Sequence, residues 1–190
     1  MSPPIDCLPT SQSTTIRTEL TTMLQATTYQ TPVGPLAVIV DPTGGPAVVA
    51  AGFCPVDDLI DRLPANGGER PAWTAVDHQP VTDQAVAGYL AGDVTALDSV
   101  PVTQAGTDLQ REVWSGLRAI PAGTTATYTQ LAATTSKPRA VRAAGTACGR
   151  NMIAPFVPCH RALRTDGSLG GYYYGLDVKR RLLDHEAGNA

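Results

Sequence analysis

Short apolar runs around turn residues dominate the first half of the chain. Residues 36–40 and 47–53 are apolar and flank a Gly- and Pro-rich turn, which predicts a β-hairpin. Residues 57–63 and 82–90 place their apolar positions at helical spacing. Residues 1–25 are rich in Thr and Ser and weakly patterned, so we expect a loose arm that ends in a short helix. The first half is therefore predicted to be a small α/β unit.

Helical periodicity dominates the second half. Thr107 is a typical N-cap for a helix over residues 109–120, whose apolar positions recur at helical spacing. Thr127 precedes a shorter helix in the same way, and Pro138 suits the first turn of a third helix over residues 139–148. Because a tight turn joins the second and third helices, and the third is rich in arginine, the pair is a candidate helix-turn-helix.

These patterns predict an α+β protein. An N-terminal α/β domain is expected over residues 1–97, a linker over residues 98–107 and a mainly helical domain over residues 108–190. With 190 residues and 43% hydrophobic content, the chain can bury one full core, or one core and a small satellite domain.

Nothing in the sequence predicts export or membrane insertion. Residues 1–6 lack the basic start and apolar core of a signal peptide. No apolar run approaches the roughly 18 residues that cross a bilayer. We therefore expect a cytoplasmic protein of bacterial type, or a nuclear one if the source is eukaryotic.

The four cysteines stand far apart, at Cys7, Cys54, Cys148 and Cys159, and no C-x-x-C pair occurs. This usage is typical of reduced thiols in an intracellular protein. A zinc site made by Cys7, Cys54 and His78 is conceivable if the fold brings them together, but the paired spacing of zinc ligands is missing. We expect neither a metal nor a cofactor.

Charge is divided unevenly along the chain. Residues 1–106 hold 3 basic and 11 acidic side chains, whereas the remainder holds 11 basic and 6 acidic ones, within a net charge of −3. No acidic residue lies between Glu112 and Asp166, and the basic residues of that interval are Arg118, Lys137, Arg139, Arg142, Arg150, Arg161 and Arg164. A long span of positive charge alone indicates a polyanionic partner such as DNA. A solvated basic face is the alternative.

One tetrapeptide carries candidate chemistry. Pro158-Cys159-His160-Arg161 places a thiol beside an imidazole and a guanidinium, after an apolar run that predicts a buried position. Nearby basic or cationic groups can hold a thiol as the nucleophilic thiolate. An ordinary buried cysteine beside a hydrogen-bonded histidine is the structural alternative.

The third predicted helix has an unusual surface. Arg142 stands among Ala140, Ala143, Ala144 and Gly145, so one long cationic side chain rises from a nearly bare face. Such a face lets the backbone approach DNA closely, and a lone arginine can insert into the minor groove or between stacked bases. Close helix–helix packing also favours small residues and explains the pattern equally well. The basic span favours DNA.

Several motifs, in one order along residues 109–186, resemble those of the methylated-DNA–protein-cysteine methyltransferases, the O6-alkylguanine-DNA alkyltransferase family. They are Ile120-Pro121-Ala122-Gly123, Thr127-Tyr128, Pro138-Arg139-Ala140-Val141-Arg142-Ala143-Ala144-Gly145, Gly149-Arg150-Asn151, Pro158-Cys159-His160-Arg161, Asp166-Gly167-Ser168-Leu169-Gly170-Gly171-Tyr172, and Lys179 through His185-Glu186. Residues 31–36 and the predicted hairpin are similar to the family's N-terminal domain. The resemblance implies that this domain is ribonuclease-H-like.

The resemblance implies a DNA repair protein that transfers an alkyl group from O6 of guanine, and from O4 of thymine, in double-stranded DNA to Cys159. The base would be flipped out of the duplex, and each molecule would act once, without a cofactor. The family pattern assigns the acid–base relay to His160 and Glu186. It assigns assistance in flipping and proton donation to Tyr128, and the hinge beside the active-site segment to Asn151.

DNA and pocket contacts follow from the same resemblance. Arg142 would replace the extruded base in the stack. The other implied DNA contacts are Tyr128, Ala140, Ala143, Gly145, Lys137 and Arg139, and the implied pocket residues are Tyr172, Ala162, Tyr173, Tyr174 and Pro158. We expect a monomer on double-stranded DNA, and cooperative binding along the duplex is left open.

Departures from the family pattern concern the pocket and the third helix. The family has small residues where Tyr173 and Tyr174 stand, so two phenols are expected to narrow the rim and to favour methyl over benzyl adducts. Ala162 replaces a valine, and Thr146 and Cys148 are atypical.

Two other functions stay open. One is a DNA-binding protein without transfer, which would not need the thiol. The other is an unrelated cysteine hydrolase, which would leave the arginine-bearing helix unexplained.

Overall fold

A small mixed sheet is the framework of the computed structural model, which describes residues 23–65 and 68–188 and has an α+β fold. Its strands are β1 (Leu24–Tyr29), β2 (Leu36–Asp41), β3 (Ala47–Gly52) and β4 (Trp73–Ala75). They lie in the order β3-β2-β1-β4, with β4 parallel to β1 and the other neighbours antiparallel. The predicted hairpin is confirmed as β2 and β3.

Strand β1 replaces the short helix expected at the end of the N-terminal arm. Gln25 pairs with Val40 on one side and with Thr74 on the other, so two partners fix this segment as extended backbone. Pairing with two neighbouring strands in the sheet outweighs a weak local pattern. The expected helix is therefore wrong for Leu24 and Gln25. Residues 1–22, which complete the arm, lie outside the described residues.

The helices of the described residues are α1 (Val56–Ile60), α2 (Asp83–Leu90), α3 (Asp108–Arg118), α4 (Tyr128–Ala133), α5 (Val141–Gly149) and α6 (Leu176–Glu186). Thr107 and Thr127 are confirmed as N-caps, each in a capping box with the glutamine three residues later. Helix α5 begins later than predicted because Pro138 lies in the preceding turn and Ala140 has non-helical backbone angles.

Strand β2 is buried on both faces, so its alternate side chains enter two hydrophobic clusters. Ile39 belongs to a cluster with Leu59 of α1. Val38 belongs to the larger cluster, together with Leu117 of α3 and Phe156. One continuous core therefore joins the sheet to the C-terminal helices.

Two chain segments from beyond the sheet bridge to β3. Val48 pairs with Val102, which lies in the predicted linker, and Ala51 pairs with Ile153. The Ala51 amide donates to the Met152 carbonyl at 2.7 Å. The segment that leads to Cys159 is thereby anchored on the sheet. Beyond it, a 3-10 turn (Cys159–Arg161) and the short parallel pair β5 (Ala126–Thr127) and β6 (Ala162–Leu163) complete the C-terminal half.

Candidate active site

Cys159 lies at the end of a continuously buried segment. Residues 153–162 are all buried, and Cys159 itself is 8% exposed. Both the nitrogen and the oxygen of the Asn151 side-chain amide form hydrogen bonds to this segment. Its Nδ2 donates to the Val157 carbonyl at 2.7 Å and lies 3.2 Å from Cys159 Sγ, while its Oδ1 accepts from the Ile153 amide at 3.0 Å. Asn151 therefore fixes both the bend of the segment and the position of the sulfur.

Burial keeps both the thiol and the neighbouring imidazole neutral. Burial raises the pKa of Cys159, against the opposing effects of the Asn151 amide and the Lys179 ammonium. Burial also lowers the pKa of His160, although its hydrogen bond to Glu186 opposes the shift. The Arg161 guanidinium, two residues after the thiol in the sequence, binds Glu186. At neutral pH the site holds a thiol followed by a neutral base.

The Glu186 carboxylate at the end of α6 collects five hydrogen bonds. Its Oε1 pairs with His160 Nε2 at 2.8 Å and accepts from Arg161 Nη2 at 2.9 Å and from the Tyr89 hydroxyl at 3.1 Å. Its Oε2 accepts from Arg161 Nε at 2.8 Å and from the Gly123 amide at 3.4 Å. Burial acts to raise the pKa of Glu186, but the hydrogen bonds from His160 and Arg161 outweigh it and lower the pKa to about 2.

The hydrogen bonding of His160 sets its tautomer. Because Nε2 faces a carboxylate, Nε2 carries the proton and donates it, which leaves the lone pair on Nδ1. Nδ1 is buried and has no hydrogen-bond partner among the described residues. An imidazole in this state can accept a proton at Nδ1, and Glu186 stabilises the charge that results.

Two partners of Glu186 were missed by the sequence analysis. Arg161 was counted with the DNA-facing basic span, yet its side chain is buried and also donates to the Ile120 carbonyl at 2.7 Å. The apolar run before it was the available signal, since a buried arginine needs a carboxylate partner. Tyr89 reaches Glu186 from α2, 97 residues away in the chain, and nothing local in the sequence indicates that contact.

Lys179 organises the backbone around the site. This residue of α6 is fully buried, and its Nζ donates to the Ala162 carbonyl at 2.7 Å and to the Leu169 carbonyl. Ala162 is fully buried beneath that contact. Neither Ala162 nor Pro158 is among the residues that line the cavity at Cys159. Their predicted place at the pocket, which for Ala162 concerns the backbone groups around it, stays a prediction.

A cavity of about 250 Å³ opens above the sulfur. The residues that line it come from α4, α5, the segment before Cys159 and the loop before α6: Tyr128, Gly145, Cys148, Gly149, Asn151, Cys159, Gly171, Tyr172, Tyr173 and Tyr174. The structure therefore brings the predicted residues Tyr172, Tyr173 and Tyr174 together with Cys159. It also adds Cys148, whose thiol has its pKa raised by burial to about 12.

The tyrosines at the rim are held by the N-terminal half. The Tyr174 hydroxyl donates to the Ala51 carbonyl at 3.3 Å, and its ring lies against Gly52, where any side chain would collide with it. Tyr173 is 62% exposed, and the Arg62 guanidinium lies 3.9 Å from its ring centroid. The N-terminal half therefore supports two of the tyrosines that line the cavity.

Helix α5 resolves the two interpretations of its small residues. Ala144 and Ala147 are buried, and the Ala147 carbonyl accepts from Trp114 Nε1 at 2.9 Å, so one face packs against α3. Arg142 is exposed on another face, less than one turn before Gly145. The remaining predicted DNA contacts are exposed at Lys137 and Arg139, and half-buried at Tyr128, Ala140, Ala143 and Gly145.

Only some of the basic residues between Glu112 and Asp166 are exposed on the surface. Arg118 donates to the backbone carbonyls of Val100 and Asp98, and Arg161 is buried on Glu186. The exposed basic residues of the span are Lys137, Arg139, Arg142, Arg150 and Arg164. The positive surface lies around the two short helices α4 and α5 and the loop after β6.

No group of three or more His, Cys, Asp or Glu side chains that could hold a metal occurs in residues 23–65 and 68–188. Of the conceivable zinc ligands, Cys7 lies outside the described residues. Within the same ranges no helix is long and apolar enough to cross a membrane.

Sequence comparisons identify relatives across most of the chain. The family model for the DNA-binding domain of 6-O-methylguanine DNA methyltransferase matches residues 108–188. A methylated-DNA–protein-cysteine methyltransferase of Haemophilus influenzae is 35% identical over 168 residues, which cover 87% of each chain. The regulatory protein ada of Salmonella typhimurium is 50% identical over 104 residues, or 55% of this chain and 29% of the relative. A Salmonella typhimurium methylated-DNA–protein-cysteine methyltransferase is 46% identical, and 59% of its length is matched. This chain thus spans less than two thirds of the last two relatives.

Solved structures give the same result for the fold. The crystal structure of Mycobacterium tuberculosis O6-methylguanine methyltransferase superposes with a TM-score of 0.70 at 30% identity, covering 88% of this chain and 95% of that chain. The same organism's OGT in complex with DNA gives a TM-score of 0.69 at 32% identity, covering 87% and 94%.

Proposed function

Because the chain belongs to the methylated-DNA–protein-cysteine methyltransferase family, we propose that it repairs double-stranded DNA by moving an alkyl group from O6 of guanine to Cys159. The observation that carries this proposal is the buried Cys159 thiol, which opens into a cavity and is followed by His160 bonded to Glu186. We extend the proposal to O4 of thymine, which offers the same kind of alkyl–oxygen bond.

The DNA-binding surface is proposed to be the exposed positive surface around α4 and α5, acting as a helix-turn-helix. Lys137 and Arg139 would contact phosphates, and the small residues of α5 would let its backbone approach the groove. Arg142 would occupy the place of the extruded base, since it is exposed on α5 less than one turn before Gly145, which lines the cavity. The solved complex of a relative with DNA supports DNA as the partner.

Base flipping follows from the position of the sulfur. Cys159 is nearly inaccessible, and its cavity is walled by Tyr128, Tyr172 and the tyrosines at the rim. An O6 atom inside a stacked duplex cannot reach a sulfur at that depth, so the base must leave the stack. Tyr172 and Tyr128 line the cavity and would contact the extruded base.

The proposed chemical step is a displacement at the alkyl carbon. A sulfur–carbon bond forms as the carbon–O6 bond breaks. The thiol proton passes to His160 Nδ1, through a bridging water as the family resemblance implies, and Glu186 stabilises the imidazolium. Guanine leaves with a proton from Tyr128, whose hydroxyl is protonated in the resting site because burial raises its pKa. Tyr128 then regains a proton from solvent as the His160 imidazolium releases one, so the step balances.

The thioether product makes the reaction a single turnover. Unlike an acyl-enzyme, a thioether has no electrophilic carbonyl carbon that water attacks readily. We therefore propose that each molecule, acting as a monomer, accepts one alkyl group.

We also propose that the chain is divided into domains at residues 1–97, 98–107 and 108–190, with a ribonuclease-H-like first domain. The family match that begins at residue 108 supports the last boundary.

The direct test is to incubate the protein with duplex DNA that carries labelled O6-methylguanine. We expect one methyl group per protein molecule, located on the peptide that contains Cys159, and an unmodified guanine left in the duplex. Label on another residue, release of free methanol or repeated turnover would each refute the proposal.

Tyr173 is expected to limit the size of the alkyl group that the cavity accepts. In the native protein, methyl adducts should react faster than benzyl adducts, because Tyr173 stacks beneath Arg62 at the rim. Tyr173→Gly should raise the benzyl-to-methyl rate ratio about tenfold, within the range of steric discrimination by an apolar pocket. Competition between the two adducts gives the ratio. Leu176→Ala, an exposed apolar residue outside the cavity wall, is the matched control, and equal native rates would contradict the prediction.

A further inference from the structure

We propose that Tyr89, which lies in the N-terminal half, is a positioning residue of the relay: its hydroxyl orients Glu186 and sets how strongly that carboxylate supports the charged form of His160. The inference rests on the proposed function of Cys159. It adds a residue of the N-terminal half to Cys159, His160 and Glu186 of the C-terminal half. Side chains from both halves would then take part in the same acid–base relay.

The contacts of Tyr89 fix its hydroxyl on the relay oxygen. Tyr89 is 5% exposed in α2, and its hydroxyl donates at 3.1 Å to Glu186 Oε1, the same oxygen that His160 Nε2 meets at 2.8 Å. A second contact anchors the residue beside Glu186. His185 Nε2 lies 2.7 Å from the Tyr89 carbonyl, and the two rings are 4.8 Å apart between centroids.

Other charged groups around the relay are already engaged. Arg161 binds both oxygens of Glu186 and also the Ile120 carbonyl. Lys179 donates to two backbone carbonyls and acts on His160 only through space. Asp98 acts on Tyr89 through space, and Tyr172 is a neutral phenol near Glu186. Among the described residues, Tyr89 is therefore the neutral hydroxyl that forms a hydrogen bond with Glu186 Oε1, the oxygen that also bonds to His160.

The direction of the effect follows from charge. Burial and the nearby Glu186 carboxylate raise the pKa of Tyr89, so its hydroxyl remains a donor at working pH. Each donor withdraws negative charge from Oε1. Removing the Tyr89 hydroxyl leaves more charge facing His160 Nε2, which favours the imidazolium and raises the pKa of His160. Since His160 must be neutral to accept the thiol proton, the acidic limb of the rate profile then moves to higher pH.

Tyr89→Phe isolates the hydroxyl, because the ring contact with His185 and the backbone carbonyl both remain. The rate constant for methyl transfer from pre-bound duplex is measured against pH. We expect the acidic limb to move up by about half a unit to one unit, the size that loss of one buried hydrogen bond corresponds to. The matched control is Tyr29→Phe. Tyr29 is also a tyrosine of the N-terminal half, and its hydroxyl bonds to Thr82 and Asp83 and not to Glu186. In Tyr29→Phe the acidic limb of the pH–rate profile should therefore stay where it is in the native chain.

A second measurement does not depend on transfer. In the free protein, ¹⁵N-labelled histidine reports the titration of His160 by NMR, and its pKa should be higher in Tyr89→Phe than in the native chain. A rate lowered equally at every pH, with an unmoved His160 titration, would show that Tyr89 only supports the fold and would overturn the inference. Absence of transfer in the native chain would instead refute the proposed function, while the NMR comparison would still decide the role of Tyr89.

Discussion

Cys159→Ser is expected to abolish alkyl transfer while the protein still binds duplex DNA. A serine hydroxyl fits the space of the thiol, but it is a far weaker nucleophile at neutral pH, and the neutral His160 cannot make it an alkoxide without the electrostatic help that serine enzymes provide. Removal of an enzyme's nucleophile lowers rates on the order of 10⁴- to 10⁶-fold. Single-turnover transfer from labelled O6-methylguanine duplex measures the loss, and a gel-shift titration measures the retained affinity.

The chain offers a matched control for this substitution. Cys54 is a half-buried thiol outside the cavity wall, so Cys54→Ser should transfer at the native rate. Cys148 lines the same cavity, but burial holds its pKa near 12, and no label is expected on its peptide in Cys159→Ser. Substantial transfer to Cys148 in that variant would show that the cavity activates a thiol without the His160 relay.

Glu186→Gln is expected to lower both the stability and the transfer rate. The amide keeps the size of the side chain but leaves the buried Arg161 guanidinium without a counter-charge, which costs about 3 kcal/mol in comparable buried pairs. His160 also loses the anion that stabilises its charged form, so transfer should fall on the order of 10²- to 10⁴-fold. Urea denaturation and single-turnover kinetics measure the two effects separately.

The pH dependence of this stability difference has a defined sign. Glu186 has a pKa of about 2 in the folded protein, against an ordinary value of 4.5. Its contribution is therefore fully present above about pH 5 and is lost as the pH falls toward 2. The native chain and Glu186→Gln should converge in stability over that interval. Asp177→Asn, which removes an exposed ion pair with Arg180 on the same helix, should cost less than about 1 kcal/mol. An equal cost for both variants would contradict the assignment.

Local signals in the sequence predicted the local parts of the fold. Thr107 and Thr127 cap helices because the capping box depends only on residues three positions apart. The hairpin of β2 and β3 was predicted for a similar reason, since its turn residues lie between its strands. Strand β1 was missed because its own sequence is weakly patterned, and its extended backbone is fixed by pairing with β2 and with β4, which is almost 50 residues away.

The candidate site shows the same division between local and distant contacts. Cys159 and His160 were found as neighbours in the chain, and the family resemblance supplied Glu186 as the distant partner, which the structure places against His160. The basic span wrongly includes Arg161, which forms a buried ion pair with Glu186. The sequence alone does not show whether an arginine faces DNA or a buried carboxylate. Ala162 is fully buried in β6, so a contact between this residue and a substrate would have to be made by its backbone.

The bridges on β3 bear on solubility as well as on the site. β3 is one of the two edge strands of the sheet and consists of small and apolar residues, Ala47–Gly52. The predicted linker at Val102 and the segment before Cys159 at Ile153 cover its free side at Val48 and Ala51. An uncovered apolar edge strand invites pairing with another molecule and leads to aggregation. We therefore expect that a change that loosens these segments from β3 would expose the strand edge to self-association, which gives a second role to the contact that anchors the segment leading to Cys159.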